Sequence, residues 1–259
     1  MTLSRRSVLT LGAAAALSGA VGARAEEPGW TRIKALAFDA FAVFDPNPIY
    51  HACEQAFPGR GTELANLWRT RQFEYQWLRA LAGQYADFWR TTREALQFAA
   101  QSLKLTLAPS AADTLMNGFL ALKAWPDVPD ALSELRRQGR TLALLSNATP
   151  TILAAGLRNS HIEELFEHVI STDWIRSYKP DPRTYQLGTE VLGLRKEAIL
   201  FVAFAGWDAA GAKWFGYPTF WNNRQGAAAE ELAPAADGAG ESLTDLVKFL
   251  TNPPPVRPS

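Results

Sequence analysis

Three short apolar runs in this 259-residue chain end in polar or small residues. They are IKALAFD (Ile33–Asp39), TLALLSN (Thr141–Asn147) and AILFVAFA (Ala198–Ala205). Runs of this length bounded by turn or helix-start residues read as strands buried on both faces. EHVIST and YPTFW are weaker runs of the same kind. Between them lie helical patterns: PDALSELRRQ ending at Gly139, PTILAAGL, and PRTYQLGTEVLG ending at Gly193. Glycine just past a helix is the usual stop. Strand–helix alternation predicts an α/β fold, a Rossmann-like open parallel sheet. Such sheets bind ligands outside the carboxyl ends of their strands. Asp39, Ser146-Asn147 and Ala203–Asp208 all fall at or just beyond such ends.

The alternation breaks from residue 43 to 126, where helical patterns dominate. Asn47-Pro48 is a helix start with proline in the first turn. The longest pattern is TELANLWRTRQFEYQWLRAL. Leu64, Leu67, Trp68, Arg71, Tyr75 and Leu78 fall on one side, and Phe73, Trp77, Ala80 and Leu81 on the other. A helix apolar on two sides is expected to be buried on both. The expected organisation is a core of 33–42 and 127–250 with an inserted helical cap of 43–126, and a disordered tail at 251–259.

The first 25 residues, MTLSRRSVLTLGAAAALSGAVGARA, follow the three-part plan of a secretory signal. Arg5-Arg6 precede a short Ala/Gly-rich apolar segment and the sequence Ala23-Arg24-Ala25. The segment is short for a spanning helix, which needs about 20 apolar residues. Paired arginines point to the twin-arginine route and so to the periplasm, with no stable membrane anchor after cleavage. The lone Cys53 cannot form an intrachain disulfide. A formal net charge of zero gives no sign of a nucleic-acid surface. Zinc-type ligand spacing is absent.

Taken singly, the candidate residues have structural readings. Asp39 suits a turn, Ser146 and Asn147 suit a helix cap, and Lys179 in YKPDP suits a solvated loop. Asp208 suits a helix N-terminus and Arg69 a surface of the cap. Their order and shared edge change the balance. Strand-Asp, strand-Ser-Asn, Lys-Pro-Asp and strand-x-x-Asp resemble the haloacid dehalogenase superfamily. AFPGRG, LWRTRQFEYQWLR, LLSNATP, YKPDPRTY, AILFV and WDAAGAKWFGYPT resemble its L-2-haloacid dehalogenases (type II), from Ile33 to near Leu250.

That resemblance implies hydrolytic dehalogenation of short L-2-haloacids to D-2-hydroxyacids. Asp39 is the implied nucleophile and Arg69 the halide acceptor. Ser146 and the backbone at Asn147 would hold the substrate carboxylate, and Lys179 would keep Asp39 ionised. Tyr185 matches a site tyrosine, and Asp208 the group that readies water. Phe73, Phe88 and Trp207 match apolar pocket positions. Superfamily phosphatases use Asp-x-Asp with Mg²⁺. Here FDAFAVFD puts Phe41 at the second acidic position, which implies work on carbon with no metal or other cofactor. A homodimer stays open.

The chain departs from the family pattern at several places. Phe41, Ala42 and Val43 stand where tyrosine, glycine and threonine are usual. AFAGWD (Ala203–Asp208) stands where Ser-Ser-Asn-x-Trp-Asp is usual. Phe73 stands where leucine is common. Val43, Ala203 and Ala205 replace polar side chains, and losing one oxyanion donor costs ~10²–10³ in rate. Two other readings therefore stand beside the main one: a catalytically weakened paralogue binding small carboxylates, and a hydrolase of another small acid.

Overall fold

A computed structural model describes residues 29–251. The expected signal segment and all but the first residue of the expected tail lie outside this range. Six parallel strands form one sheet in the order β3-β2-β1-β4-β5-β6. The strands are β1 (Ala35–Phe38), β2 (Thr141–Ser146), β3 (His168–Ser171), β4 (Ile199–Ala203), β5 (Thr219–Asn222) and β6 (Gly238–Gly240). The expected α/β class is therefore observed. Strand β1 is central and pairs with β2 and β4, so the order reverses there and opens a crevice at its carboxyl end.

Alternation along β1 sorts its side chains between two layers. Leu36 and Phe38 join the larger core, with Leu142, Leu144, Leu200 and Val202. Helices α6 (Val128–Arg137), α7 (Pro150–Ser160) and α10 (Leu243–Thr251) close that face. Ala35 and Ala37 face the other way, onto Tyr185 of α8 (Pro182–Leu192), Ala209 and Ala212 of α9 (Gly206–Phe215), and Tyr217. Small alanines in β1 make room for those rings. The next residue of the same parity is Asp39, so its carboxylate points toward α8 and α9. The one-turn helix α1 (Ala40–Val43) starts there, with Asp39 as its cap.

Four helices follow: α2 (Asn47–Ala56), α3 (Gly61–Ala82), α4 (Phe88–Ser102) and α5 (Pro109–Asn117). Asp87 caps α4 by accepting from Arg90 N at 2.7 Å. Gly61 is required by crowding, since a Cβ there would lie 2.1 Å from Glu54 Cα. Trp68 Nε1 donates to Thr92 O at 2.8 Å and ties α3 to α4. The two connections to the sheet run side by side. Asp45 N donates to Lys123 O at 2.8 Å, and Trp125 N to Val43 O at 3.0 Å.

Helix α3 differs from its expected two-sided burial. Its buried positions step by about one turn: Leu64, Ala65, Trp68, Gln72 and Gln76. Leu78 and Leu81 are exposed, at 59% and 88%. The last turn of α3 carries apolar residues past the point where any of the described residues covers them, and two glutamines take the buried line instead. Sequence inspection also missed β6 and α10. Strand β6 is GAG and has no apolar pattern. Leu243, Leu246 and Leu250 of α10 do have helical spacing and were findable.

Candidate active site

The site is built from strand ends. Asp39 follows β1, and its N–H donates to Val202 O of β4 at 2.9 Å. Its Oδ2 accepts from Phe41 N at 3.0 Å, and its Oδ1 from Lys179 Nζ at 3.1 Å. Those are its two side-chain hydrogen bonds among the described residues. Lys179 also donates to Asp208 Oδ2 at 2.9 Å. Asp208 lies in the first turn of α9, and its Oδ1 accepts from Tyr185 Oη at 2.7 Å. One ammonium thus bridges two carboxylates. Side-chain exposure is 1% for Lys179, 2% for Asp208 and 14% for Asp39, so Asp39 is the member of the cluster open to a ligand.

Charge counting explains the electrostatics. Two carboxylates and one ammonium carry net −1 when all are ionised, in a place with little water. Burial pushes the Asp208 carboxyl up to about 6, with Asp39 adding to the rise and Lys179 opposing it. Burial alone would lower the Lys179 ammonium, but Asp208 and Asp39 outweigh it and hold it above its usual range. Burial and the Asp208 charge raise Tyr185 well above the usual phenol value, so it remains a donor. The Phe201 ring, 4.6 Å from Nζ, gives Lys179 an additional favourable face.

Ser146 and Asn147 end β2. Ser146 Oγ accepts from Ala148 N at 3.1 Å, which leaves its hydroxyl hydrogen to donate. Asn147 does not cap the following helix; Thr149 does. Asn147 Oδ1 accepts from Lys179 N at 2.9 Å and from Thr172 Oγ1 at 3.2 Å. Its side chain therefore fixes the loop that delivers Lys179.

Helix α3 crosses above this edge. Arg69 donates to Gln225 Oε1 at 3.2 Å, beyond β5, and its guanidinium lies 5.8 Å from the Phe73 ring centre. Phe73 and Trp77 meet Trp207, which follows β4, at 5.3 and 5.4 Å between ring centres. Gln76 accepts from Asn147 Nδ2 at 3.0 Å. The structure does not join Arg69 to Asp39 by hydrogen bond or ion pair. Arg69 instead lines a narrow apolar cavity with Phe41, Tyr50, Phe73, Phe119 and Phe204. Phe41 links the two places, since its N–H binds Asp39 and its ring walls the cavity.

Phe88 packs against one of the cavity's lining rings. It is buried at the start of α4, 5.5 Å from Phe119 between ring centres, one layer behind the cavity wall. Trp207 lies with Arg69 and Phe73 along an outer groove. Sequence reasoning missed Gln76 and Thr172, the polar side chains that hold Asn147.

A family model for haloacid dehalogenase-like hydrolases matches residues 12–216. The chain belongs to the haloacid dehalogenase family. It is 42% identical over 219 residues to a (S)-2-haloacid dehalogenase of Pseudomonas sp. (strain YL), covering 84% of this chain and 94% of that protein. It is likewise 42% identical to haloacetate dehalogenase H-2 of Moraxella sp. (strain B), covering 85% and 98%. The fold matches an L-2-haloacid dehalogenase of Xanthobacter autotrophicus solved with chloropropionic acid covalently bound. That match has a TM-score of 0.79 and 34% identity, over 86% of this chain and 100% of that one.

Proposed function

We infer that this haloacid dehalogenase hydrolyses the carbon–halogen bond of short L-2-haloacids and releases D-2-hydroxyacids. The observation that carries the reading is Asp39 at the sheet's switch point, held by Lys179 Nζ and Phe41 N, in a family with a relative solved with chloropropionic acid covalently bound. In the proposed first step an Asp39 oxygen attacks C2 opposite the halogen. The C2–O bond forms as the carbon–halogen bond breaks, halide leaves with the bonding pair, and C2 inverts. Arg69, the cavity's guanidinium, stabilises the departing halide among apolar walls, where a charge contact is strongest. Ser146 and the backbone at Asn147 seat the substrate carboxylate, and Phe73 and Trp207 pack its apolar part.

In the second step water attacks the ester carbonyl and gives its proton to Asp208. The bond between the acyl carbon and the ester oxygen then breaks, the leaving alkoxide takes the proton back from Asp208 to become the 2-hydroxyacid, and Asp39 loses water's second proton to solvent and is a carboxylate again. Tyr185 and Lys179 hold Asp208 in place for this. Phe41 replaces the second acid of the phosphatase pattern and Lys179 occupies the space between the two carboxylates, so the reading uses no metal.

A second reading rests on a specific observation. Val43 and Ala203 are fully buried and, with Ala205, give Asp39 no side-chain donors. The residues that the resemblance assigns to alkylation are all present in the sequence, while ester hydrolysis lacks these donors, so a slow enzyme or a carboxylate-binding paralogue is the runner-up. Halide release from L-2-chloropropionate, measured beside hydrolysis of a phosphate monoester with and without Mg²⁺, tests both. Halide release with inert phosphate supports the main reading. Mg²⁺-stimulated phosphate hydrolysis overturns it, and neither activity favours the paralogue.

Residues 1–25 support a further proposal, export to the periplasm by the twin-arginine route. Fractionation of cells expressing the full chain tests it. Mature protein in the periplasm, lost when Arg5 and Arg6 are both replaced by lysine, supports it; cytoplasmic protein in both cases refutes it.

A further inference from the structure

Gln76 is fully buried, yet its Nε2 has no hydrogen-bond partner among the described residues. The orientation of this amide follows from its neighbours. Lys179 N can only donate, so the Asn147 atom that it meets at 2.9 Å is Oδ1. The other end of Asn147 is then Nδ2, a donor, and the Gln76 atom facing it at 3.0 Å is Oε1. The free end of Gln76 is therefore an N–H₂ group with two hydrogens to give. Native proteins pair nearly all buried donors with protein, water or ligand, so this one calls for a partner other than the described side chains.

Its position indicates that partner. Gln76 sits on α3 one turn beyond Phe73, and the same face of α3 meets Trp207 and Asn147 in succession. Its amide thus lies against the Ser146–Asn147 end of β2, where Ser146 has a hydroxyl hydrogen to donate. Two donors, one from the sheet and one from the cap, suit the two oxygens of a carboxylate.

We propose that Gln76 is a substrate-binding residue whose Nε2 donates to a carboxylate oxygen of the 2-haloacid while Ser146 Oγ donates to the other. The proposal rests on the 2-haloacid reading above. It makes the substrate carboxylate a bridge between cap and core. It also makes the cap helix, and not only the sheet edge, a selector for acids over their neutral amides and esters.

The test uses the folded full-length protein and two variants, Gln76→Met and Gln76→Glu. Met keeps the shape of the side chain and removes both donors. Propionate, which has no halogen, probes the carboxylate seat alone, by calorimetry. The Met variant should weaken propionate binding about tenfold, the worth of a hydrogen bond to a charged group. It should raise KM for L-2-chloropropionate by a similar factor with kcat within about twofold. The Glu variant should weaken binding further as pH rises and the new carboxylate ionises. Unchanged propionate affinity in a folded Met variant overturns the proposal. So does a fall in kcat at constant KM, which would make Gln76 only a support for Asn147. If the Met variant does not fold, the Glu variant decides, and propionate affinity that does not fall with rising pH overturns it. Should the wild-type protein release no halide, the propionate result still decides the role of Gln76, and only the haloacid reading fails.

Discussion

Replacing Lys179 with methionine isolates the electrostatic logic of the site. The ammonium is 1% exposed and neutralises Asp39 at 3.1 Å and Asp208 at 2.9 Å. Methionine fills the space but leaves two carboxylates facing each other. Removing one partner of a buried ion pair costs about 3–5 kcal/mol, because the remaining charge is uncompensated. That is a large part of the ~5–15 kcal/mol by which a domain is stable, and for a chain of this size it lowers Tm by about 10 °C. The loss has a sign in pH. Asp208 already titrates at about 6, above the 3.8 of an ordinary aspartate, and losing Lys179 moves it higher. An acid whose folded pKa is raised binds its proton more tightly folded than unfolded. Stability from that group is present at low pH and is lost as pH rises through the folded pKa. The Lys179→Met penalty should therefore be smaller near pH 5, where Asp208 is protonated and only Asp39 loses its counter-charge, than at pH 8. Urea unfolding of both proteins at the two pH values measures it. Equal penalties at pH 5 and 8, with native-like folding, would refute the claim that Lys179 acts as the counter-charge.

Asp208→Asn should slow ester hydrolysis more than halide release, and in the wild-type protein the hydrolytic rate should fall as pH drops through about 6, read by single-turnover kinetics. Arg69→Ala should lower halide release by ~10²-fold or more, the scale for losing one preorganised charge stabiliser, with Tm little changed because its one side-chain hydrogen bond among the described residues is to exposed Gln225. Val43→Thr, Ala203→Ser and Ala205→Asn together should raise the slow steady-state rate more than the halide burst; a larger effect on the burst would show that alkylation limits turnover.

Much of the fold was legible because a parallel sheet writes itself as short apolar runs. Asp39, Ser146 and Asn147 were visible as polar residues where such runs stop, and Asp208 as an acid just past one. Lys179 was visible only through the order of motifs, since nothing in YKPDP says that its side chain is buried. That burial depends on Asn147 Oδ1 receiving the Lys179 N–H across the edge of the sheet. Gln76 was hidden for the opposite reason. A glutamine on a helix reads as solvated, and its burial comes from α3 crossing Asn147, a contact between residues 71 positions apart. Phe88 shows a third limit, because an apolar cap residue reads the same whether it walls a cavity or backs the wall. The Asp127–Arg224 ion pair, with Arg224 Nη1 at 2.8 Å from Asp127 Oδ1, had no local signal either.

The central claim is that Asp39 becomes bonded to the substrate. Intact-mass measurement after rapid quenching of enzyme with saturating L-2-chloropropionate tests it most directly. The expected result is an adduct equal to the haloacid less hydrogen halide, placed on Asp39 by peptide mapping, absent in Asp39→Asn and decaying as 2-hydroxyacid appears. Because hydrolysis lacks donors from Val43, Ala203 and Ala205, the adduct should build toward one per active site. Halide released at the wild-type rate by Asp39→Asn, or an adduct mapped to another residue, would contradict it.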